Sequence, residues 1–594
     1  MKQFLGWMVV GGAIAAPVQA EQPLFLAYPP PNHETTAEQI FLIGTAAPGG
    51  EVEVNGQVIQ RSEAGHFAPS FPLEMGENRF TLRYGSQELT TVVTRLPSQP
   101  PAPQGLAFGE GSLKPNGAIA RLPGEPICFG AIAPPQAQVS VLLGGQVIPL
   151  QAQGRQTSLP SNLSVLTQQN QPQTAGDRGV FQGCSTFSTP GVLGTPEFQL
   201  SLGGQIRREA GAGPVEILSP ANLAVVTVTA EEAIARTGPA SDYSRLTPLP
   251  KGSQAAVTGR EGDWLRLDYG AWLRQSETEP LTDTSAIRTT SGDAARSIIR
   301  SARSRAVPGW TEIVFPLEVP VPVSVQQGDD VLTLSLYNTT AQTDIIRLDD
   351  DPIIERLDWQ QVSPSRIDYR FQLKSEQQWG YKLRYEGSSL VLSLRHPPAR
   401  SDRRRPLEGV TVLLDPGHGS ENDLGARGPT GYPEKDVALR VSQQVRDRLE
   451  ARGAKVVMTR EGDDDLYPQD RVDIINQQEP TLALSLHYNA LPDSGDAENT
   501  QGLSAFWYHP QAHSLAVFLH NYLTETLDRP SYGVFWNNLA LTRPAVAPAV
   551  MLELGFMIHP EEYEWIVDPE AQEDLAEAIA EGVSRWVSQS TRQP

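Results

Sequence analysis

Three side chains in the last third of the chain have the chemistry of a metal ligand set. His418 lies in Asp415-Pro416-Gly417-His418-Gly419, Glu434 in Tyr432-Pro433-Glu434-Lys435-Asp436, and His487 in Ser485-Leu486-His487-Tyr488-Asn489-Ala490. Two imidazoles and one carboxylate suit Zn2+ and leave a fourth position open for water, the pattern of a catalytic rather than a structural site. No compact H-E-x-x-H occurs, so these ligands must converge through the fold. Taken singly, each histidine also reads as a surface or hydrogen-bonding residue. What sets them apart is a shared placement at strand ends and a helix start. A second cluster, His509, His513 and His520, has spacings of four and seven on one face of an expected helix. A second metal there would need a carboxylate that no pattern supplies, so this cluster reads as a solvated or partner-facing stripe.

Such placements demand strands and helices in alternation. Val410-Thr411-Val412-Leu413-Leu414 reads as a buried strand, and the Gly-rich turn with His418 follows it at once. Val437, Val441, Val445 and Leu449 recur every four residues on one face of a helix that starts near Glu434. Val456-Val457-Met458, Leu482-Ala483-Leu484-Ser485-Leu486 and Val550-Met551-Leu552 read as further strands, and residues 511–527 and 570–588 as helices. The alternation predicts a C-terminal α/β three-layer domain over residues 407–590. In open sheets of this kind, sites form just beyond the strand ends.

The chain ahead of this domain reads as all-β modules, and the whole is multidomain. Its 594 residues are about four times the ~150-residue prior for one domain. Residues 21–98 and 99–215 repeat a pattern of strand, Pro-containing turn, strand, Asn-Gly or Gly-Gly hairpin, strand, and resemble small Ig-like sandwiches. Residues 223–280 resemble a bacterial SH3-like domain, with Trp264 and Trp272 read as filling the barrel. Residues 286–397 resemble, weakly, β-rich modules that target enzymes to the cell wall. Within them Asp349-Asp350-Asp351 lacks calcium-loop spacing and reads as a solvated turn. Residues 398–406 are basic and Pro-flanked, as expected of a linker. Lys2 before an apolar stretch, with Val18-Gln19-Ala20, predicts a signal peptide over residues 1–20 and hence a secreted protein of the periplasm or cell envelope. Export permits a disulfide between Cys128 and Cys184, whose pairing the sequence leaves open. A net charge of −22 argues against a nucleic-acid partner, and the absence of a later long apolar run argues against a transmembrane anchor after signal cleavage.

Residues 407–590 closely resemble the zinc-dependent N-acetylmuramoyl-L-alanine amidases of bacterial cell walls, the amidase 3 family. The resemblance rests on Asp415-Pro416-Gly417-His418-Gly419, Glu434-Lys435-Asp436, Thr459-Arg460, Ser485-Leu486-His487-Tyr488-Asn489-Ala490 and Glu553-Leu554-Gly555-Phe556-Met557, in family order. Ser420 and His559 depart from it, where Gly and Asn are common. The resemblance implies Zn2+ on His418, Glu434 and His487, and a catalytic glutamate at Glu553 that moves a proton from water to the leaving amine. It implies peptidoglycan as substrate, cut between N-acetylmuramic acid and L-alanine, with divisome or activator proteins as open partners. Other readings are a zinc peptidase or carboxypeptidase acting on the stem peptide, a non-catalytic wall-binding scaffold, and, for Glu553 alone, a buried salt-bridged carboxylate. The segment Leu491–Gln501 is too short for a site-plugging helix, so the 407–594 domain is expected to have an open site.

Overall fold

The computed structural model describes residues 23–98, 102–154, 156–166, 171–175, 179–281, 296–399 and 404–591. The expected signal peptide lies outside the described residues, as do residues 400–403 of the expected linker.

The C-terminal domain is built on six strands and five helices: β1 (Thr411–Pro416), α1 (Glu434–Ala451), β2 (Lys455–Met458), α2 (Pro468–Gln478), β3 (Leu482–Asn489), β4 (Leu503–Trp507), α3 (Pro510–Thr526), β5 (Ser531–Trp536), β6 (Ala549–Phe556), α4 (Pro560–Val567) and α5 (Pro569–Ser590). The sheet order is β2-β1-β3-β6-β4-β5. β1, β2, β3 and β6 run parallel, while β4 pairs antiparallel with β6. Both sheet faces are buried, which is why these strands are nearly continuous apolar runs rather than alternating ones. On one face Val412, Leu414, Leu484, Leu486, Val550 and Leu552 pack under α1, α3 and α5. On the other, Leu413, Ala483, Phe506 and Met551 meet Ile475 of α2 and Leu541. The stripe Val437, Val441, Val445 and Leu449 on α1 is fully buried, and each such side chain contributes about 1.5–3 kcal/mol of burial. Asp568 caps α5, its Oδ1 accepting from the amides of Glu570 and Ala571.

Upstream the described chain is β-rich. A five-stranded sheet within residues 33–95 covers a core that includes Leu42, Val52, Phe67, Leu82 and Val93. A six-stranded sheet follows between Pro126 and Ala210. In it Cys128 stands opposite Cys184, and the two form a disulfide. The next segment does not stand apart in its strand pairing. Ile119–Arg121 pairs with Val215–Ile217 on one side and with Gln254–Glu261 on the other, so one sheet runs through both. Trp264 and Trp272 are buried there, each under arginine guanidinium groups. Residues 297–395 form five- and four-stranded sheets around Ile313, Phe315, Leu334 and Tyr369. Here the acidic turn departs from expectation at one residue. Asp351 is buried, and its carboxylate accepts from the amides of Ile353 and Ile354 and from the Thr311 hydroxyl, so it braces the turn instead of facing water.

The first and last of these segments pack on the α/β domain, and Leu166 of the second accepts a hydrogen bond from Tyr532 of β5. The first reaches the loop after β3, where Tyr28 and His33 both bond Asp493, and Gln39 donates to the Ser494 carbonyl at 2.6 Å. Behind these polar contacts, Phe41, Ile43 and Ala68 pack with Ala497, Phe556 and Ile558. The last β segment docks on the far side through a Trp379–Trp586 ring pair at 5.2 Å and a Lys382–Glu479 ion pair at 2.6 Å. Among the described residues no helix is long and apolar enough to cross a membrane.

Candidate active site

Parallel strands present their C-terminal ends to one edge of the sheet, and that edge gathers the four residues of interest. His418 lies two residues past β1, Glu434 opens α1, His487 is in β3 and Glu553 in β6. His487 and Glu553 are register partners in the β3–β6 pair. One ligand atom each from His418, Glu434 and His487 can be chosen so that all three lie within 4.8 Å of one another. Among the described residues this is the one such group of three or more metal-ligating side chains.

The details fit a metal ligand set. His418 Nε2 lies 3.1 Å from Glu434 Oε2, and His487 Nδ1 lies 3.1 Å from Glu434 Oε1. The other nitrogen of His418, Nδ1, bonds Asp423 at 2.5 Å. A carboxylate behind a ligating histidine fixes its tautomer and ring direction and raises its basicity. Glu434 is buried, and its two oxygens also accept from the amides of Ala426 and Tyr488, both at 2.9 Å. Burial opposes charge on both groups, yet the contacts outweigh it: the His418 imidazole is held up at about 9, and the Glu434 carboxyl is held below the ordinary carboxylate range. Glu553 goes the other way. Burial, then repulsion from Glu434, pushes its carboxyl well above the usual range. Two carboxylates of one site are thus driven apart in proton affinity, as acid–base chemistry requires.

The turn that carries His418 is held from beneath. His418 itself has φ +57°, a left-handed conformation that costs a non-glycine residue about 1–3 kcal/mol and persists only where surroundings enforce it. Two buried guanidinium groups supply that enforcement. Arg460 donates to the carbonyls of Pro416, Gly417 and Lys435, and Arg471 to those of Pro416 and His418. Arg471 also pairs with buried Asp415 at 2.7 Å, and Asp415 accepts from Thr459 and Ser485. Gly417 leaves no room for a side chain, since a Cβ there would lie 2.5 Å from the His487 ring. Sequence reasoning holds Arg460 only as part of a motif and passes over Asp423 and Arg471. An arginine between Val472 and the Asp470 of a helix start reads as surface, and only its place beneath β1 shows otherwise.

The remaining expectations resolve locally. Ser420 accepts from the amides of Asn422 and Asp423 and donates to Asp465, and His559 caps α4 by accepting from the Glu562 amide. The second histidine cluster forms no metal-ligand group among the described residues, and only His513 of the three is exposed. His509 is half-buried against the Arg543 carbonyl and pushed down to about 4 by desolvation, His513 lies on the Trp507 ring, and His520 is buried with Ser531. Residues 490–502 contain turns and no helix. They bear the first β segment instead; that segment also sets Phe25 beside Gly431, where a Cβ would lie 3.2 Å from its ring, and packs His66 on Tyr563. Two loops and helix α4, all leading from the site residues, are therefore walled on one side by the N-terminal segment.

A family model and curated relatives match the α/β domain. The Amidase_3 family model, N-acetylmuramoyl-L-alanine amidase, matches residues 412–585. The germination-specific N-acetylmuramoyl-L-alanine amidase of Bacillus subtilis is 32% identical over 211 residues, covering 32% of this chain and 84% of that protein. A probable cell wall amidase of Staphylococcus aureus is 34% identical over 188 residues, covering 31% of this chain and 61% of that protein. Among solved structures, the N-acetylmuramoyl-L-alanine amidase AmiC2 of Nostoc punctiforme matches with 30% identity and a TM-score of 0.28, covering 30% of this chain and 96% of the other.

Proposed function

This chain belongs to the N-acetylmuramoyl-L-alanine amidase family, and from that premise we propose how its residues carry out the reaction. The reaction is hydrolysis, in peptidoglycan, of the amide bond between N-acetylmuramic acid and L-alanine. The observation that carries the reading is the convergence of His418, Glu434 and His487 within 4.8 Å, with Glu553 in register beside His487.

Two nitrogens and one carboxylate oxygen, backed by Asp423, fit Zn2+ in a site with an open position. Once bound by His418, Glu434 and His487, zinc would acidify a water and polarise the scissile carbonyl. The protein's own groups do the rest. Glu553 takes the proton of the attacking water and delivers it to the nitrogen of the leaving L-alanine, so the bond breaks with a neutral amine rather than an amide anion. Its raised proton affinity suits the second half of that task, since a carboxyl that holds its proton is a competent acid near neutral pH. Arg460 and Arg471 keep the His418 turn fixed, so that the ligand is set before substrate arrives. The upstream β segments are read as wall-contacting modules, which raise the local concentration of the catalytic domain at its substrate. The place of work is the cell envelope, reached by export.

Incubating the purified full chain with peptidoglycan, with and without a chelator, tests the whole reading. Intact stem peptide should be released, and the release should stop when metal is removed. Shortened peptides would point to cleavage within the stem and overturn it. His487→Ala should lose both zinc and hydrolysis, because two remaining ligands hold a catalytic zinc poorly. Glu553→Gln should keep zinc and fold while turnover falls by about 10²–10⁴-fold, the range for a general acid–base group.

A further inference from the structure

Glu553 has neighbours on both sides in the sheet. His487 of β3 is its partner in one pair, and Ser504 of β4 is its partner in the other, followed by Ala505 opposite Leu552 and Phe506 opposite Met551. Directly opposed residues put their side chains on the same face, so His487, Glu553 and Ser504 form one row across the sheet. The face is the one bearing Met551 and Phe506; Leu552 and Leu554 turn into the helix-covered core on the other side.

Ser504 is an unusual residue for such a place. It is 2% exposed, and its hydroxyl has no hydrogen-bond partner. The Glu553 Oε2 atom, facing it across the strand pair, is also buried and without a partner. Buried polar atoms are nearly always bonded, so two adjacent exceptions call for one explanation. Their capacities are complementary, since a hydroxyl donates and a carboxylate oxygen accepts. The Cβ atoms of opposed antiparallel residues lie about 4.5–5.5 Å apart, within the span that a serine and a glutamate bridge by rotamer change. Packing alone would be served by alanine, which carries no hydroxyl to desolvate.

We propose that Ser504 is a positioning residue for Glu553: its hydroxyl donates to the Glu553 carboxylate during turnover and keeps that carboxylate aimed at the attacking water. The proposal rests on the reading of Glu553 as the proton carrier. The serine proton stays on its oxygen throughout. The proton that moves goes from water to Glu553 and on to the leaving nitrogen.

The test uses the full chain and a soluble muramyl-peptide substrate, with kcat, KM, zinc content and melting temperature measured for Ser504→Ala, Ser504→Thr, Glu553→Gln and the Ser504→Ala/Glu553→Gln double variant. Ser504→Ala should lower kcat by about ten- to a hundredfold, the worth of one hydrogen bond to a charged group, with KM and zinc content unchanged. Ser504→Thr, which restores the hydroxyl, should recover most of the rate. In the Glu553→Gln background, Ser504→Ala should cost nothing more. A wild-type kcat in Ser504→Ala beside an inactive Glu553→Gln overturns the positioning role and leaves Glu553 as the proton carrier. Loss of zinc, a lowered melting temperature that accounts for the lost rate, or an additive loss in the double variant also overturns it. Full turnover in Glu553→Gln removes the underlying reading, and this proposal with it.

Discussion

At His418 the backbone and the ring are held by different parts of the protein. Arg460 and Arg471 grip the carbonyls of the turn, while Asp423 and Glu434 grip the two ring nitrogens. Those carboxylates hold the ring up at about 9 against the opposing effect of burial, so in the metal-free protein it is protonated at pH 7. Ligation requires the neutral ring, so metal has to displace that proton. Titrating metal-free protein with Zn2+ at pH 7 should therefore release about one proton from this histidine, measured by calorimetry in buffers of different ionisation heat. Uptake without proton release would show that His418 is not the ligand. Below the raised value the proton competes with metal, so apparent affinity should rise from pH 6 to 9. The proposed ligands were legible in the sequence because few residue types bind zinc and each lies at an element's end. Ser504 was not, since a serine in a short apolar strand carries no signal until its register against Glu553 is known.

At the level of elements, the end of β1 depends on a buried ion pair. Arg471 reaches from α2 to Asp415, and both side chains are nearly free of solvent. Arg471→Met would leave Asp415 charged and buried beside Thr459 and Ser485. Breaking one side of such a pair costs about 3–5 kcal/mol, and urea unfolding of the α/β domain should show that loss. The zinc content of the folded fraction should fall with it, because the His418 carbonyl loses its clamp. The long elements were readable. β1, β3 and β6 are apolar runs, and α1 carries a clean four-residue repeat with all four positions buried. β4, β5 and α2 were not assigned from sequence. β5 contains Gly533, and α2 buries only Arg471, Val472 and Ile475, too few to make a stripe. The histidines of α3 misled because helical spacing alone does not say which side faces the sheet. His520 turns inward to Ser531, and His509 precedes the helix altogether.

Across the whole molecule, the α/β domain is not a free unit at the end of a string of modules. The first β segment covers the loops behind His487 and Glu553, and its polar contact centres on Asp493. Burial raises that carboxyl, but bonds from Thr35, Tyr28 and His33 outweigh it and hold it below the ordinary range. A depressed carboxyl stabilises docking above its free value of about 3.9 and loses that contribution as pH falls through its docked value. Small-angle scattering between pH 6 and 3 should thus show the segment detaching below about pH 4, and Asp493→Asn should flatten that response. Strand pairing joins the second and third segments into one sheet, which no reading of turns and repeats foretells, because the pairing of Ile119–Arg121 with Gln254–Glu261 is set in space. The Asp493 contact also has a history in time. Tyr28 and Asp493 stand 465 residues apart along the chain. The segment that carries Tyr28 is made well before the loop it must meet, and it closes its own hairpins from neighbouring strands. Contacts of such separation form late, after the local cores have condensed. A new molecule therefore passes through an interval in which the first sheet can close before the loop beside the site is there to receive it.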